Sequence, residues 1–319
     1  MQKSQVAISV IVPTYNRREI VRRSLETLFA QDFPNAQFEI IVVVDGSTDG
    51  TAEDLRALGP RCLFRVIEQE NRGLAGARNT GFRAAESDLV LFLDDDMRCD
   101  RGLVSAHVKA HQRPGSAVVF GALFLAPDSR KNLAAECFLR ELGAFHLKHL
   151  EDPGLPWQLS ECVFSNSSLP RRMLVEAGGF DESFRAREDL ELGIRLMERG
   201  AVMVYVSDAV AHQFYDKTAV DLLADAERFG VADAMLARKH PNQIVAGHLK
   251  WMECQTDWKA KLREIGMRWP WLERCFLAPF CFLGEMLFAF PPVRVLGVRA
   301  LQIRRRIHWL RGARGFTGS

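Results

Sequence analysis

Three adjacent aspartates, Asp94-Asp95-Asp96, follow the apolar run DLVLFL (88–93). Carboxylates held this close repel one another, so something cationic must offset the cost. A hard divalent ion, Mg²⁺ or Mn²⁺, bound by one or two carboxylates and the phosphates of a substrate, does this. A solvated acidic turn is the simpler alternative. Two other polar signatures also follow apolar runs: Thr14-Tyr15-Asn16 after ISVIVP (8–13), and Asp45-Gly46-Ser47 after FEIIVVV (38–44). Asp45 can be a turn residue, or a carboxylate that accepts a hydrogen bond from a nucleobase N–H. Thr14 and Tyr15 can offer backbone contacts and an aromatic face beside the same base. Arg78 lies in GARN (76–79), among small residues. It can be a solvated face residue or can approach a base or a phosphate.

The elements that must position these groups alternate. Short apolar runs at 8–13, 38–44, 63–68 and 88–93 read as buried parallel strands. Helical stripes at 17–30, 51–58 and 74–85 separate them. This alternation predicts a doubly wound α/β sheet, in which ligands bind beyond the carboxyl ends of the strands. The three polar signatures all stand at such ends, so they converge on one edge, and that convergence predicts a nucleotide site. Further along, 118–125 and 202–206 read as strands, and 131–148, 189–199 and 220–238 as helices. No linker rich in Gly, Ser or Pro intervenes, so both halves are expected to share one core.

The chain has 319 residues, of which 48% are apolar and 26% charged, ordinary values for a globular protein. Its net charge of +2 hides an asymmetry. Residues 291–319 carry seven arginines and no acid, so the remainder is net acidic. The seven cysteines form no CxxC pair, which argues against a disulfide framework or structural zinc and fits a reducing cytosol. No secretory signal is visible at the N-terminus, and no apolar run reaches the roughly 18 residues of a membrane span. His107 and His111 have i,i+4 spacing but no suggested third ligand, and are expected at the surface.

PTYN (13–16), VVVDGSTDGT (42–51), NRGLAGARNTG (71–81), LFLDDD (91–96) and SNSSLPRRMLVEAGGFDESF (165–184) with Glu188-Asp189 stand in the order and spacing of one family. The chain resembles glycosyltransferase family 2 over about residues 7–215, roughly two-thirds of its length. The resemblance implies a GT-A fold, a mostly parallel sheet flanked by helices, with a transferase domain over 1–240. The nucleotide half would end near 115 and the acceptor half would cover 116–240. A helical, basic extension would occupy 241–319. It implies a nucleotide-sugar donor, most often UDP-linked, and Mg²⁺ or Mn²⁺. Thr14, Tyr15, Asp45 and Arg78 are similar to the residues that hold the base, and Pro13 belongs to the same nucleotide-binding set. Asp94 would face the ribose and Asp96 would ligate the metal, with Asp95 supporting either. His212 is similar to a histidine that supplies a further metal ligand in some relatives, though a turn histidine is an equal reading.

Inverting transfer needs a carboxylate to take the acceptor hydroxyl's proton as its oxygen attacks the anomeric carbon. The resemblance points to Asp189, in the first turn of a helix whose dipole favours an ionised acid. Taken alone, an acid there is more often a cap. Asp181, after the flexible-looking Gly178-Gly179 turn, is the runner-up. Glu188, Asn166 and Trp157 are weaker acceptor-side candidates. Trp157 could stack on a sugar ring or sit in the core. No covalent nucleophile is evident, which favours inversion over a retaining transferase. A nucleotidyltransferase would carry a glycine-rich loop where this chain has PTYNRR, and intact Asp94–Asp96 and Asp189 count against a non-catalytic binding protein. The acceptor can be a saccharide, a lipid-linked species or a small molecule.

Residues 275–290 (CFLAPFCFLGEMLFAF) hold one charge and precede the arginines. This suits an interfacial helix beside anionic lipid over 275–314, at the inner face of the membrane. Packing on the catalytic domain or on a second subunit is the alternative, and no nucleic-acid motif accompanies the basic tail.

Overall fold

The computed structural model describes residues 6–112, 117–152, 155, 157, 161–241, 266 and 268–316. The chain forms two compact units: Met1–Asp128 with Leu142–Phe214, and Ser129–Glu141 with Tyr215–Ser319.

The first unit is built on β1 (Ile8–Thr14), β2 (Phe38–Asp45), β3 (Leu63–Gln69), β4 (Leu89–Leu93), β5 (Met97–Cys99), β6 (Ala117–Leu125), β7 (Asn166–Pro170) and β8 (Val202–Gln213). They form one eight-stranded sheet in the order β3-β2-β1-β4-β7-β6-β8-β5. β1 and β2 are buried throughout, which is why they read as mainly apolar runs rather than alternating ones. β1 pairs in parallel with β2 and with β4, so Thr14, Asp45 and Asp94 leave the same edge. β7 runs antiparallel between β4 and β6 and joins the two halves in one sheet. A register shift at Gly121/Ala122 lets β8 continue past Val206, where the apolar pattern ends, to Gln213.

Helices α1 (Arg18–Phe29), α2 (Thr51–Arg56), α3 (Gly73–Ala84), α4 (Leu103–Ala110), α6 (Arg171–Ala177) and α7 (Glu188–Glu198) belong to this unit. α1 buries Val21, Leu25 and Leu28, the stripe its periodicity predicts. α3 is made of small residues because it lies close on β1: a Cβ at Gly81 would collide with the Ile11 side chain. The turn after α6 is pinned rather than flexible. Gly178 and Gly179 have φ of +83° and +78°, the left-handed region glycine allows. The Gly179 N–H bonds Leu174 O at 2.8 Å and the Phe180 N–H bonds Asn79 Oδ1 at 2.8 Å.

The second unit is helical. It contains α8 (Ala219–Lys239), closed at its start by a Thr218–Asp221 capping box. α9 (Pro270–Phe276), α10 (Ala278–Met286) and α11 (Pro291–Gly315) follow. α8 and α11 touch backbone to backbone, since a Cβ at Gly230 would strike Trp309 O and one at Gly312 would strike Glu227 O. The remaining helix, α5 (Leu133–Glu151), begins in this unit, where the Leu133 N–H donates to the Glu285 carboxylate at 3.3 Å.

Candidate active site

The loops beyond β1 and β2 are stitched together at the sheet edge. Asn16 accepts from the Thr48 N–H at 2.8 Å, and its own N–H donates to Ser47 Oγ at 2.9 Å. Asp45 is buried, and its carboxylate takes the Gln69 amide (2.6 Å) and the Arg72 and Gly73 N–H groups (2.8 Å each). It therefore fixes the start of α3, and a carboxylate's four lone-pair sites leave room for one more donor. Tyr15, the residue after β1, is half exposed.

The triple aspartate is divided in three. Asp95 is buried under Thr14 Oγ1 and Arg17 Nη1, both at 2.7 Å. Asp96 meets Arg17 Nη2 at 3.2 Å and the Gln213 amide at 3.2 and 3.3 Å. Burial pushes Asp95 up to about 7, against the pull of Arg17 and helped by repulsion from Asp96. Asp96 is raised as well, by burial and then by Asp94. Asp94 is the most exposed of the three, and its Oδ1 accepts from Arg78 Nη2 at 2.9 Å.

Arg78 is no solvated residue. It is 2% exposed, lies over the Phe180 ring at 5.4 Å, and binds Asp94 with one arm and Glu188 Oε1 (3.0 Å) with the other. One guanidinium thus joins the end of β4 to the start of α7. Arg187, in the left-handed region at φ 63°, turns the chain into that helix. Glu188 is buried, while Asp189 is half-buried. Among the described residues the Asp189 carboxylate makes one hydrogen bond, from the Leu190 N–H at 2.8 Å. Both acids are raised above the ordinary range. Burial and then the charge of Asp189 raise Glu188, and burial raises Asp189 against the pull of Arg78 and Arg187.

Other candidates fall elsewhere. His212 Nε2 lies 3.3 Å from Asp100 Oδ1, and it is the next residue, Gln213, that reaches Asp96. Successive strand residues point to opposite faces, which accounts for the exchange. Asn166 is buried: its amide N–H groups donate to Ala122 O and Ala209 O, and its Oδ1 accepts from His107, a tie across the sheet. Trp157 stacks on Phe120 (4.5 Å) and His149 (4.7 Å), a packed aromatic column. Asp181 accepts from the Ser183 N–H and hydroxyl, a turn. His107, expected at the surface, is fully buried between Ser168 and Asn166, and burial lowers it to about 4. Arg17 and Gln213 were not anticipated. The signal for Arg17 was a basic residue three places after Thr14, with three carboxylates awaiting a cation.

Among the described residues no three His, Cys, Asp or Glu side chains gather as a ready-made metal site. Asp94 and Asp96 offer oxygen donors alone, short of a complete shell. That donor chemistry fits a hard divalent ion completed by substrate oxygens and water.

A profile of glycosyl transferase family 2 matches residues 9–176, just over half of the chain. The chain belongs to glycosyltransferase family 2. Within the family it is 31% identical over 273 residues to the validoxylamine A glucosyltransferase of Streptomyces hygroscopicus subsp. jinggangensis, covering 74% of this chain and 62% of that protein. It is 30% identical over 257 residues to the uncharacterized glycosyltransferase YfnE of Bacillus subtilis, covering 64% of each. The chain thus spans just under two-thirds of the length of these relatives. Its fold matches the mannosyltransferase PcManGT of Pyrobaculum calidifontis, solved with GDP-Man and Mn²⁺, at a TM-score of 0.59 and 19% identity over 93% of this chain and 85% of that one. It also matches S. aureus TarS in complex with UDP, at 0.54 and 20% over 97% and 91%. These are glycosyltransferase structures of the GT-A fold, and the family 2 chain shares it.

Proposed function

We propose that this family 2 chain moves a glycosyl group from a nucleoside-diphosphate donor to an acceptor hydroxyl, with inversion at the anomeric carbon. The observation that carries the reading is Arg78, which ties Asp94 on the donor side to Glu188 beside Asp189. Donor and proton acceptor are thereby referred to one rigid group.

The acceptor oxygen attacks the anomeric carbon from the face opposite the diphosphate. Its bond forms as the bond to the diphosphate oxygen breaks, and the hydroxyl proton passes to Asp189. Burial lifts Asp189 above an ordinary carboxylate, which strengthens it as a base. Thr14, Tyr15 and Asp45 flank the base, and the remaining acceptor site on Asp45 suits the single N–H on the edge of uracil. Asp94 and Asp96 would hold Mg²⁺ or Mn²⁺, which when bound offsets the charge of the departing diphosphate. Arg17 and Gln213 keep Asp95 and Asp96 in place for this. The donor is held by the part of the chain before about residue 115 and the acceptor by the part from 116 to 240. The six free cysteines among the described residues support a reaction on the cytosolic side.

The test is the product. Proton NMR of the linkage formed from an α-linked nucleotide sugar is expected to show a β anomer, and an α anomer would overturn the proposal. Thermal stabilisation by UDP is expected to require a divalent ion and to exceed that by GDP.

A further inference from the structure

Two short helices of the second unit are built inside out. α10 turns its small residues, Cys281 and Gly284, inward, and leaves Phe280, Phe282, Leu283 and Met286 between 45 and 67% exposed. The inward side is tight: a Cβ on Gly284 would stand 2.8 Å from the Gly297 Cα of α11. In α9 the acid is inside and the aromatics outside. Glu273 is 3% exposed, whereas Trp271 and Phe276 are 55% and 62% exposed. A helix on a water-facing surface does the reverse, with large apolar groups inward and charge outward.

The exposure is contiguous along the chain. Trp269, Leu287, Phe290 and Leu296 are exposed too, so a stretch of 28 residues carries half of the large exposed apolar side chains among the described residues. α11, which packs on α10 at Gly284 and Gly297, adds charge. Pro292, Leu296, Arg299 and Arg306 are exposed at steps of four, three and seven residues along one stripe of this helix, the spacing of a single face. Neither arginine has an ion-pair partner among the described residues, although Arg304 and Arg311 are both committed to Glu273.

From this we infer that α9, α10 and the outer stripe of α11 form a membrane-docking surface for a leaflet rich in anionic lipid. Trp, Phe, Leu and Met enter the boundary between headgroups and acyl chains, and Arg299 and Arg306 meet the phosphates. No helix among the described residues is long and apolar enough to cross a bilayer, so the contact lies in the interface. The charge decides for lipid over a second copy of this chain, which would bring the same unpaired arginines to the contact and repel them. The inference stands apart from the proposed reaction, because binding can be measured without turnover.

The experiment is flotation of the full chain with vesicles of phosphatidylcholine, alone or mixed with phosphatidylglycerol. Fluorescence quenching by brominated acyl chains is followed in parallel. The chain is expected to float with the mixed vesicles at least about tenfold better than with the neutral ones, with quenching that Trp269→Tyr/Trp271→Tyr removes. Phe282→Ser/Met286→Ser changes two exposed side chains and is expected to lower binding at least about tenfold, with thermal stability and transfer unchanged. Arg299→Gln/Arg306→Gln is expected to remove the preference for anionic lipid. Failure to float, or binding that survives Phe282→Ser/Met286→Ser, overturns the inference. So does a stable dimer that Phe282→Ser/Met286→Ser dissociates, since the surface would then serve self-association.

Discussion

Both units bury acids, and they handle them in opposite ways. In the second unit Glu273 faces two arginines, Arg304 at 2.5 Å and Arg311 at 3.1 Å, with the His308 imidazole at 3.6 Å. Against burial, His308 and Arg304 pull its carboxyl down to about 2. In the first unit Asp94, Asp95, Asp96, Glu188 and Asp189 are arranged around two inner arginines, Arg17 and Arg78. Burial there wins, and the carboxyls of Asp95, Asp96, Glu188 and Asp189 rise. An over-neutralised acid is a structural tie. Acids left short of positive charge are prepared to take a proton or to gather around a cation and a diphosphate. The contrast in charge balance is what makes the first cluster the candidate reaction site.

Arg78→Ala attacks that balance hardest. It strands the buried Glu188 with no counter-charge and takes the partner from half-buried Asp94, and the expected cost is about 3–5 kcal/mol in urea denaturation. Arg78→Lys keeps the charge but loses the two-armed geometry, and is expected to restore only part of it.

Glu273→Gln probes the other region and is expected to cost about 3 kcal/mol at neutral pH. The folded carboxyl is depressed, so its contribution is fully present above the unfolded value near 4.3 and is lost as pH falls through about 2. The gap in stability between wild type and Glu273→Gln should therefore hold steady from about pH 7 to 5 and close between about 4 and 2. A gap that widens on acidification would break the comparison.

Much of the parallel half of the sheet was legible along the chain. β1, β2 and β4 are buried on both faces, so their sequences are apolar but for Ser9 and Glu39, which bond each other, and the polar residues that end them stand out. β7 was not legible, because NSSLP has neither apolar character nor alternation, and its strand comes from pairing with β4 and β6. β5 has only three residues. Arg17 meets carboxylates 78 and 79 positions away, a contact that no local pattern announces. His107 misled because imidazole on a mixed helix reads as surface, and only the distant Asn166 and Ser168 make its burial affordable.

The smallest expected effect is also the most diagnostic of the acid pair. Transfer should show an acidic limb above the ordinary carboxylate range, because the base must be ionised and burial raises it. Glu188→Gln removes a neighbouring negative charge and leaves Arg78 less neutralised, so the limb is expected to move to lower pH by up to about one unit. A limb that stays in place would separate Glu188 from the base.

The central claim is that Asp189 takes the proton. The direct measurement is the transfer rate of Asp189→Asn, with nucleotide affinity determined on the same preparation. A loss of about 10²–10⁴-fold in rate, with affinity within about twofold of wild type, is the expected result. Transfer at the wild-type rate with normal nucleotide binding would contradict it.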